Sequence, residues 1–195
     1  MPSIRLGDFC CQGGDKTLDT AHFAPKDLTI AVRGNRELRF APLGNAPVRP
    51  RVALVGITPG GQSEAFVRNL QQMPVSHAAK RAAFDGAQTQ IRELLRSQKF
   101  ATRIGLDLTG DLNESPDIFT TSLVKCCLMV DGGYKYKAPD IAASPEATFC
   151  VANRFVADVR RFSTLQWIVI FGEPGWEAVS TIRINGRTVL DGLRS

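Results

Sequence analysis

The chain has 195 residues, of which 44% are hydrophobic and 22% are charged, as in an ordinary globular protein. This length supplies one full hydrophobic core, so we expect a single α/β domain over residues 1–195. The formal net charge of +5 permits a polyanionic partner but does not require one. The sequence contains no apolar run of about 18 residues, so no membrane span is predicted.

The N-terminus and the cysteines indicate the compartment. The first residues, MPSIRLGDFCCQGGDK, have neither the basic nor the apolar region of a secretory signal, so we expect a cytoplasmic protein. The five cysteines are an odd number and include no C-x-x-C pair. Free thiols are therefore expected rather than a disulfide framework or a zinc site.

Residues 1–50 are predicted to form an N-terminal arm and an edge hairpin. Residues 28–32 and 37–41 are short strand-like runs on either side of Gly34 and Asn35. A proline-containing loop then leads into the core, which we expect to span residues 51–195.

The core begins with a strand, a turn and a helix. Residues 52–57 form a short run rich in β-branched residues, typical of a strand buried on both faces of a parallel sheet. The sequence TPGG at 58–61 ends this strand, and its two glycines permit positive φ and close approach by a ligand. Helical apolar spacing follows. Open α/β sheets bind ligands where strand C-termini meet helix N-termini, so this turn is the first candidate site. It matches neither G-x-x-x-x-G-K-[ST] nor G-x-G-x-x-G.

The remaining elements are predicted in chain order from apolar periodicity. They are a second helix with Phe84, Ala87, Ile91, Leu94 and Leu95 on one face, a buried strand continuing into a loop at 118–129, an exposed excursion at 131–145, a third helix around 152–162, a third buried strand at 167–171, a short helix near 176–179, and a hairpin about Asn185 and Gly186. Alternating strands and helices from 51 to 180 predict a three-layer α/β/α sandwich with a mostly parallel central sheet.

Three motif segments, in this order, resemble the uracil-DNA glycosylase superfamily, and a later strand matches it as well. VGITPG at 55–60 is similar to the family's strand-end G-x-x-P-G motif, and FDGA at 84–87 is similar to its F-x-G segment. TSLVKC at 121–126 is similar to the T-N-V-V-K-C stretch of its iron–sulfur branch, and IVIFG at 168–172 to the strand before its last helix. The resemblance covers about residues 51–180. It implies a base-excision DNA repair hydrolase that acts on a flipped base, with DNA as partner, and we expect a monomer.

The resemblance implies a role for each matched site residue. Thr58 and the backbone amides of Gly60 and Gly61 would orient the attacking water. Phe84 would stack on the flipped base. Ser122 stands where the family has an amide that selects uracil, and a hydroxyl does not reproduce the paired donor and acceptor of an amide.

DNA contacts are expected at Lys125 and in an aromatic–basic loop containing Tyr134, Lys135 and Lys137. The family's late H-P-S-type motif has no counterpart here, because both histidines of this sequence precede its last predicted strand. Two explanations stay open: the sequence is a piece of a longer protein, or its lineage has lost this histidine.

The iron–sulfur branch also implies four cysteine ligands. Cys126 matches the third ligand, and Cys150 lies farther along the chain than the usual fourth. Cys10 and Cys11 are adjacent, and neighbouring cysteines do not easily reach the same cluster. We therefore expect no iron–sulfur cluster and no other cofactor.

Two alternatives to a glycosylase remain open. The first is a non-catalytic nucleic-acid-binding module on the same fold, which would bind DNA in a salt-dependent way without chemistry. The second is a small-molecule enzyme or binder whose glycine turn holds a phosphate or a carboxylate in a mostly apolar pocket. The distribution of charge over the folded surface separates these two.

Overall fold

The structure is a computed structural model that describes residues 3–9, 13–135, 137–184 and 186–194. The strands are β1 (Ser3–Arg5), β2 (Thr17–Asp19), β3 (Thr29–Arg33), β4 (Arg36–Arg39), β5 (Val52–Gly56), β6 (Ile118–Ser122), β7 (Cys127–Val130), β8 (Gly133–Tyr134), β9 (Trp167–Ile170), β10 (Arg183–Ile184) and β11 (Arg187–Thr188).

The α-helices are α1 (Gln62–Leu70), α2 (Val75–Ala82), α3 (Gln88–Ser97), α4 (Phe100–Ile104), α5 (Ala138–Ala142), α6 (Pro145–Cys150), α7 (Val156–Arg160), α8 (Glu173–Thr181) and α9 (Val189–Arg194). Short 3-10 helices cover Leu6–Asp8 and Pro25–Leu28, and a π-helical turn, Val151–Phe155, joins α6 to α7.

A parallel sheet contains the strand that the sequence placed at the start of the core. β5 lies between β6 and β9 and pairs in parallel with both. Its first four residues are fully buried, as expected for aliphatic side chains in a strand with neighbours on both sides. The predicted α/β class is confirmed, as is the order of strand, tight turn and helix at residues 52–70.

Successive residues of β5 face two separate hydrophobic clusters. Leu54 packs in one cluster with Ile91 and Leu95 of α3. Val55 packs in the other cluster with Phe66 of α1. Because side chains alternate between the two sides of a strand, both faces of this sheet are covered.

The third predicted strand is present as β9, but it is only partly buried. Its first residue, Trp167, is 47% exposed. Within the described residues β9 pairs with β5 alone, so it is an edge strand and its apolar side chains are less enclosed than those of β5.

A second sheet is antiparallel, with the strand order β3-β4-β7-β8. The predicted hairpin at residues 28–41 is confirmed as β3 and β4, which flank a turn at Gly34. β4 also pairs with β7, so this hairpin is joined to the chain that follows residue 126. The predicted N-terminal arm contains the antiparallel pair β1 and β2.

The segment at 118–129 is not one strand continuing into a loop, as the sequence suggested. β6 ends at Ser122, and β7 begins at Cys127 in the other sheet. The backbone N–H of Leu123 donates to the carbonyl of Gly56 at 2.9 Å, which holds the connection against the end of β5. Both strands and the connection between them are buried, so no exposed polar turn marks where one strand ends and the next begins.

The segment at 131–145 is also more ordered than the expected exposed excursion. A turn at Asp131 and Gly132, both with positive φ, reverses the chain into β8, which pairs with β7. The helix α5 follows and buries Ile141. A two-residue strand and a five-residue helix are too short to show a periodic pattern of apolar residues, so no periodic signal marks this segment. Tyr136 lies outside the described residues.

The second predicted helix begins later than expected. Phe84 does not lie on it: α2 ends at Ala82 and α3 begins at Gln88. Phe84 occupies the turn between them with φ of 56°, and a residue in this left-handed region cannot continue an α-helix.

The elements after residue 145 follow the predicted order. The third helix is the continuous run of α6, the π-helical turn and α7, and the last hairpin is β10 and β11 around Gly186. Across the described ranges, every helix is too short or too polar to cross a bilayer.

Candidate functional site

A small pocket lies at the carboxyl ends of β5 and β6. Its volume is about 70 Å³. We call it the strand-end pocket, and it is lined by Leu43, Gly56, Thr58, Gln62, Ala83, Phe84, Thr121 and Ser122. The fold thus brings together three of the predicted site residues, Thr58, Phe84 and Ser122, from three separate segments of the chain.

Of the two glycines in the turn after β5, only Gly60 has a positive φ, and Gly61 has an ordinary helical φ of −61°. Gly60 has φ of 54°, which favours glycine, and its carbonyl accepts hydrogen bonds from the N–H and the hydroxyl of Ser63 at 3.1 and 2.7 Å. Gly61 immediately precedes α1. Neither glycine lines the strand-end pocket, so their predicted contact with a water molecule stays a prediction.

Thr58 lines the pocket, but its hydroxyl already has partners in the protein. The Oγ1 atom donates to the carbonyl of Cys126 at 3.1 Å and accepts from the N–H of Leu128 at 3.4 Å. These bonds tie the turn to the connection between β6 and β7. A hydroxyl has one proton and two lone pairs, so Thr58 retains one acceptor position for a water molecule or a ligand.

Phe84 is fixed in place rather than freely exposed. Its side chain is nearly buried and meets the ring of Phe171 edge to face, with ring centroids 5.5 Å apart. Its backbone N–H donates to Oε1 of Gln62 at 3.2 Å. A bulky residue with positive φ is uncommon, and such backbone strain is concentrated at functional sites.

Gly56 is a site residue that the sequence reading missed. A Cβ atom at this position would lie 3.5 Å from Oγ of Ser122 and 3.6 Å from Cε1 of Phe84. These are ordinary van der Waals contacts, so a methyl group would fit without strain but would occupy the pocket. The detectable signal was a glycine ending a buried strand, where any other residue would add a side chain.

Gln62 is the second residue that was missed, because it lies outside the motifs on which the resemblance is based. The structure places Gly61 at the N-cap without a side-chain cap bond, and Gln62 begins α1. Its Oε1 accepts from Phe84, and its Nε2 amide has no hydrogen-bond partner among the described residues. Gln62 therefore brings to the pocket a carboxamide that the Ser122 position lacks.

The strand-end pocket has no charge of its own. None of the described residues that line it is acidic, basic or a histidine. Its polar groups are hydroxyls, backbone groups and one carboxamide. Such a lining suits a neutral polar group held by hydrogen bonds, and it supplies no side chain that is an effective general base at neutral pH.

Lys125, at which a DNA contact was expected, is a buried and paired cation, and that contact stays a prediction. It is 9% exposed. Its Nζ donates to Oδ2 of Asp158 at 2.9 Å and to the hydroxyl of Thr121, and it lies over the ring of Phe119. The V-K-C segment is buried where the chain passes between the two sheets, so this ammonium does not extend into open solvent.

The expected aromatic–basic loop is divided between a strand and a helix start. The Tyr134 hydroxyl donates to Oε1 of Glu64 at 2.7 Å, which attaches β8 to α1; burial, together with this carboxylate, raises the pKa of Tyr134. The backbone of Lys135 bonds to Leu128, and the exposed Lys137 precedes α5. A DNA contact through these residues stays a prediction.

The described cysteines are buried thiols. They are Cys126, Cys127 and Cys150. Burial raises the pKa of Cys127 to about 11, so this thiol is protonated at neutral pH. Cys10 and Cys11 lie outside the described residues. Within the described part of the chain there is no group of three or more His, Cys, Asp or Glu side chains that could hold a metal ion.

Comparison of the chain with protein-family models, with curated proteins and with solved structures finds no match. The functional interpretation therefore depends on the residues of the site and on their chemistry.

Proposed function

We propose that this chain is a uracil-DNA glycosylase-like protein, a three-layer α/β/α sandwich that takes an extruded nucleobase into the strand-end pocket. The observation that carries this proposal is the meeting of Thr58, Phe84 and Ser122 at the carboxyl ends of two parallel strands. These residues come from the three segments on which the resemblance was based. Carboxyl ends of parallel strands are where open α/β sheets bind ligands.

The pocket's dimensions favour the edge of a planar ring. A volume of about 70 Å³ is well below the roughly 300 Å³ at which pockets enclose a whole drug-sized ligand. The missing Cβ of Gly56 leaves the space between the Phe84 ring and the Ser122 hydroxyl open. A base that has left the helix stack would insert its Watson–Crick edge here, beside the aromatic side chain.

The polar groups of the pocket favour a base that carries carbonyl oxygens. The Nε2 amide of Gln62 is a donor, and the Ser122 hydroxyl donates or accepts. Uracil and hypoxanthine present carbonyl oxygens to such donors. An amino group, as in cytosine or adenine, would place a donor against the Gln62 donor and leave both without a partner.

In the hydrolytic reaction, the bond between the base nitrogen and C1′ of the sugar breaks, and its electron pair leaves with the base. Donors at Gln62 and Ser122 would stabilise the negative charge that develops on the departing base. A water molecule donates a hydrogen bond to the remaining lone pair of Thr58. This water adds its oxygen to C1′ and transfers a proton to the base. Phe84 holds the base while the bond breaks.

The proposal is tested with oligonucleotides, single- and double-stranded, that carry one uracil, hypoxanthine or xanthine. After incubation, alkali cleaves abasic sites and the fragments are resolved. The unmodified chain should excise a base, and Gly56→Ala should reduce excision at least tenfold because its methyl group occupies the pocket. Gly110→Ala is the matched control: this glycine has ordinary φ and open space around it. Equal excision by both variants would contradict a role for the pocket.

A second candidate is a non-catalytic nucleic-acid-binding module on the same fold. It is favoured by the uncharged lining of the pocket and by the use of the Thr58 proton within the protein. It predicts that the same oligonucleotides bind at low salt, with weaker binding to Gly56→Ala, and that no abasic product forms. If they neither bind nor react, both candidates are wrong.

A further inference from the structure

A larger cavity, of about 530 Å³, lies beside β6, the strand whose carboxyl end lines the strand-end pocket. It is bounded by the loop at 42–46, by α2, by β6 and by the helix that runs through the π-helical turn into α7. We call it the basic cavity. The charged residues that line it are Asp8, Lys80, Lys125, Arg154, Asp158 and Arg161.

The cavity holds one carboxylate between two cations. Asp158 accepts from Nζ of Lys125 at 2.9 Å and lies 3.7 Å from Nη1 of Arg161. This pair of interactions leaves one positive charge in excess. Two of the three remaining charged groups are matched by residues outside the cavity: Lys80 pairs with Glu114 and Asp8 pairs with Arg5.

Arg154 supplies a second uncompensated charge. Its Nη2 donates to the backbone carbonyl of Gly7 at 3.4 Å, and it makes no ion pair with a carboxylate in the described ranges. A guanidinium has five N–H donors, so this single contact leaves most of them available. Arg154 is half-buried, so its charge is only partly screened by solvent.

The backbone explains why these side chains converge. Arg154, Asp158 and Arg161 are four and three residues apart, which places them along one face of the helix. The first of them lies in the π-helical turn, and such turns are rare and frequently occur at functional sites. The cations thus come from elements held in place by the core rather than from flexible surface loops.

We propose that the basic cavity binds the phosphate group of a nucleotide, with the Arg154 guanidinium as its main ligand and Arg161 as a second donor. Planar guanidinium groups match phosphate oxygens in a bidentate geometry. The volume lies in the range of about 300–1,000 Å³ that is typical of ligand pockets. The proposal does not depend on base excision, because none of the charged groups that line the cavity lines the strand-end pocket.

The phosphate has two possible sources. Leu43 lines both the basic cavity and the strand-end pocket, so the two sites are neighbours, and a nucleic acid strand could reach both at once. A free nucleoside monophosphate would occupy the basic cavity alone. Both sources present the same phosphate ester to Arg154, and competition between them separates the two cases.

The test measures binding by calorimetry at low salt with three probes: inorganic phosphate, uridine 5′-monophosphate and a single-stranded oligonucleotide of five thymidines. The unmodified protein should bind at least one of the phosphate esters, and Arg154→Gln should weaken this binding about tenfold or more through loss of charged hydrogen bonds. Arg103→Gln is the matched control, because Arg103 is exposed on α4, away from the cavity. Equal weakening in the two variants, or no binding of any probe, would overturn the proposal.

A second variant separates ligand binding from folding. Asp158→Asn removes the carboxylate that competes with phosphate, so it should lower the thermal unfolding midpoint and yet tighten phosphate-ester binding by about threefold or more. A variant whose affinity falls together with its stability would contradict the assignment. If the oligonucleotide competes with the mononucleotide and binds more tightly, the phosphate belongs to a strand; if it does not compete, the site takes free nucleotides. Either result is compatible with the site itself.

Discussion

The strand-end pocket and the basic cavity both adjoin β6 and share Leu43, but they are built in different ways. The strand-end pocket is shaped by the backbone: a strand that ends in Gly56, a turn with positive φ and a missing Cβ. The basic cavity is shaped by long charged side chains, which come mainly from one face of the helix through the π-helical turn and from the connection between β6 and β7. Ligand binding at the strand-end pocket therefore depends on the space available, and ligand binding at the basic cavity depends on charge.

This difference has consequences for substitutions. Adding a methyl group should weaken ligand binding strongly at the strand-end pocket and little at the basic cavity. Changing a charge should do the reverse. Variants that alter both sites together identify the elements that the sites share.

The largest effect is expected at the loop between the two sites. Gly44 has φ of 148°, and a Cβ there would lie 2.4 Å from the backbone carbonyl oxygen of Thr120. Neither the loop nor β6 can move aside easily, so Gly44→Ala should lower the free energy of unfolding by about 3–4 kcal/mol. Chemical denaturation measures this change. Gly110→Ala, in open space, should change it by less than about 0.5 kcal/mol.

The next effect tests the basic cavity alone. Lys125→Met removes one partner of a largely buried pair and leaves Asp158 with only the longer contact to Arg161. We expect the free energy of unfolding to fall by about 3 kcal/mol, as is typical when a buried pair is broken. The control is Lys137→Met at an exposed lysine, which should be nearly neutral. A neutral Lys125→Met would mean that this pair is solvated rather than buried.

A smaller effect tests the strand-end pocket alone. Gln62→Glu keeps an acceptor for the Phe84 N–H but replaces the Nε2 donor with a second acceptor. Binding of a uracil-containing oligonucleotide should weaken about tenfold, or about 1.4 kcal/mol. Gln72→Glu adds the same charge at an exposed position and controls for general repulsion of DNA. Similar losses in both variants would remove Gln62 from the site.

The smallest effect is expected from a substitution at the opposite end of the sheet. This substitution should change ligand binding at neither site. Arg51 donates to both carboxylate oxygens of Asp117, at 2.9 and 3.1 Å, which lowers the pKa of Asp117 below its ordinary value. Asp117→Asn should therefore lower the free energy of unfolding by about 1 kcal/mol at neutral pH, since the pair is partly exposed.

The sign of the pH dependence follows from the lowered pKa. The charged form of Asp117 is favoured by folding, so its contribution is complete above the ordinary carboxyl pKa of 3.8 and is lost as the pH falls through the lower folded value. Denaturation of the unmodified chain and of Asp117→Asn should converge in this acid range. A difference that persists there would show that Asp117 acts through packing rather than charge.

The elements that the sequence predicted correctly are those that local patterns of residues determine. The strand at 52–56, its glycine turn, the hairpin around Gly34 and the hairpin around Gly186 all follow from periodicity and turn residues. The change from one sheet to the other at 123–126 was missed, because the two strands and the connection between them are all buried.

In the candidate site, too, residues within short motifs were predicted and residues defined by distant contacts were missed. Thr58, Phe84 and Ser122 were found through short motifs, and the fold places them together. Gly56 and Gln62 were missed because their importance lies in distances to residues far along the chain. The basic cavity was missed entirely, since a conventional sequence pattern does not mark cations that meet only after three elements pack together.

The central claim is that a nucleobase enters the strand-end pocket, and nuclear magnetic resonance tests it most directly. Isotope-labelled protein is titrated with a single-stranded oligonucleotide that carries one uracil, and the amide resonances of the unmodified chain and of Gly56→Ala are followed. We predict the largest shifts at Gly56, Gln62, Phe84 and Ser122, and their loss in the variant. Shifts of equal size at these residues in both proteins, or shifts confined to other parts of the chain, would contradict the claim.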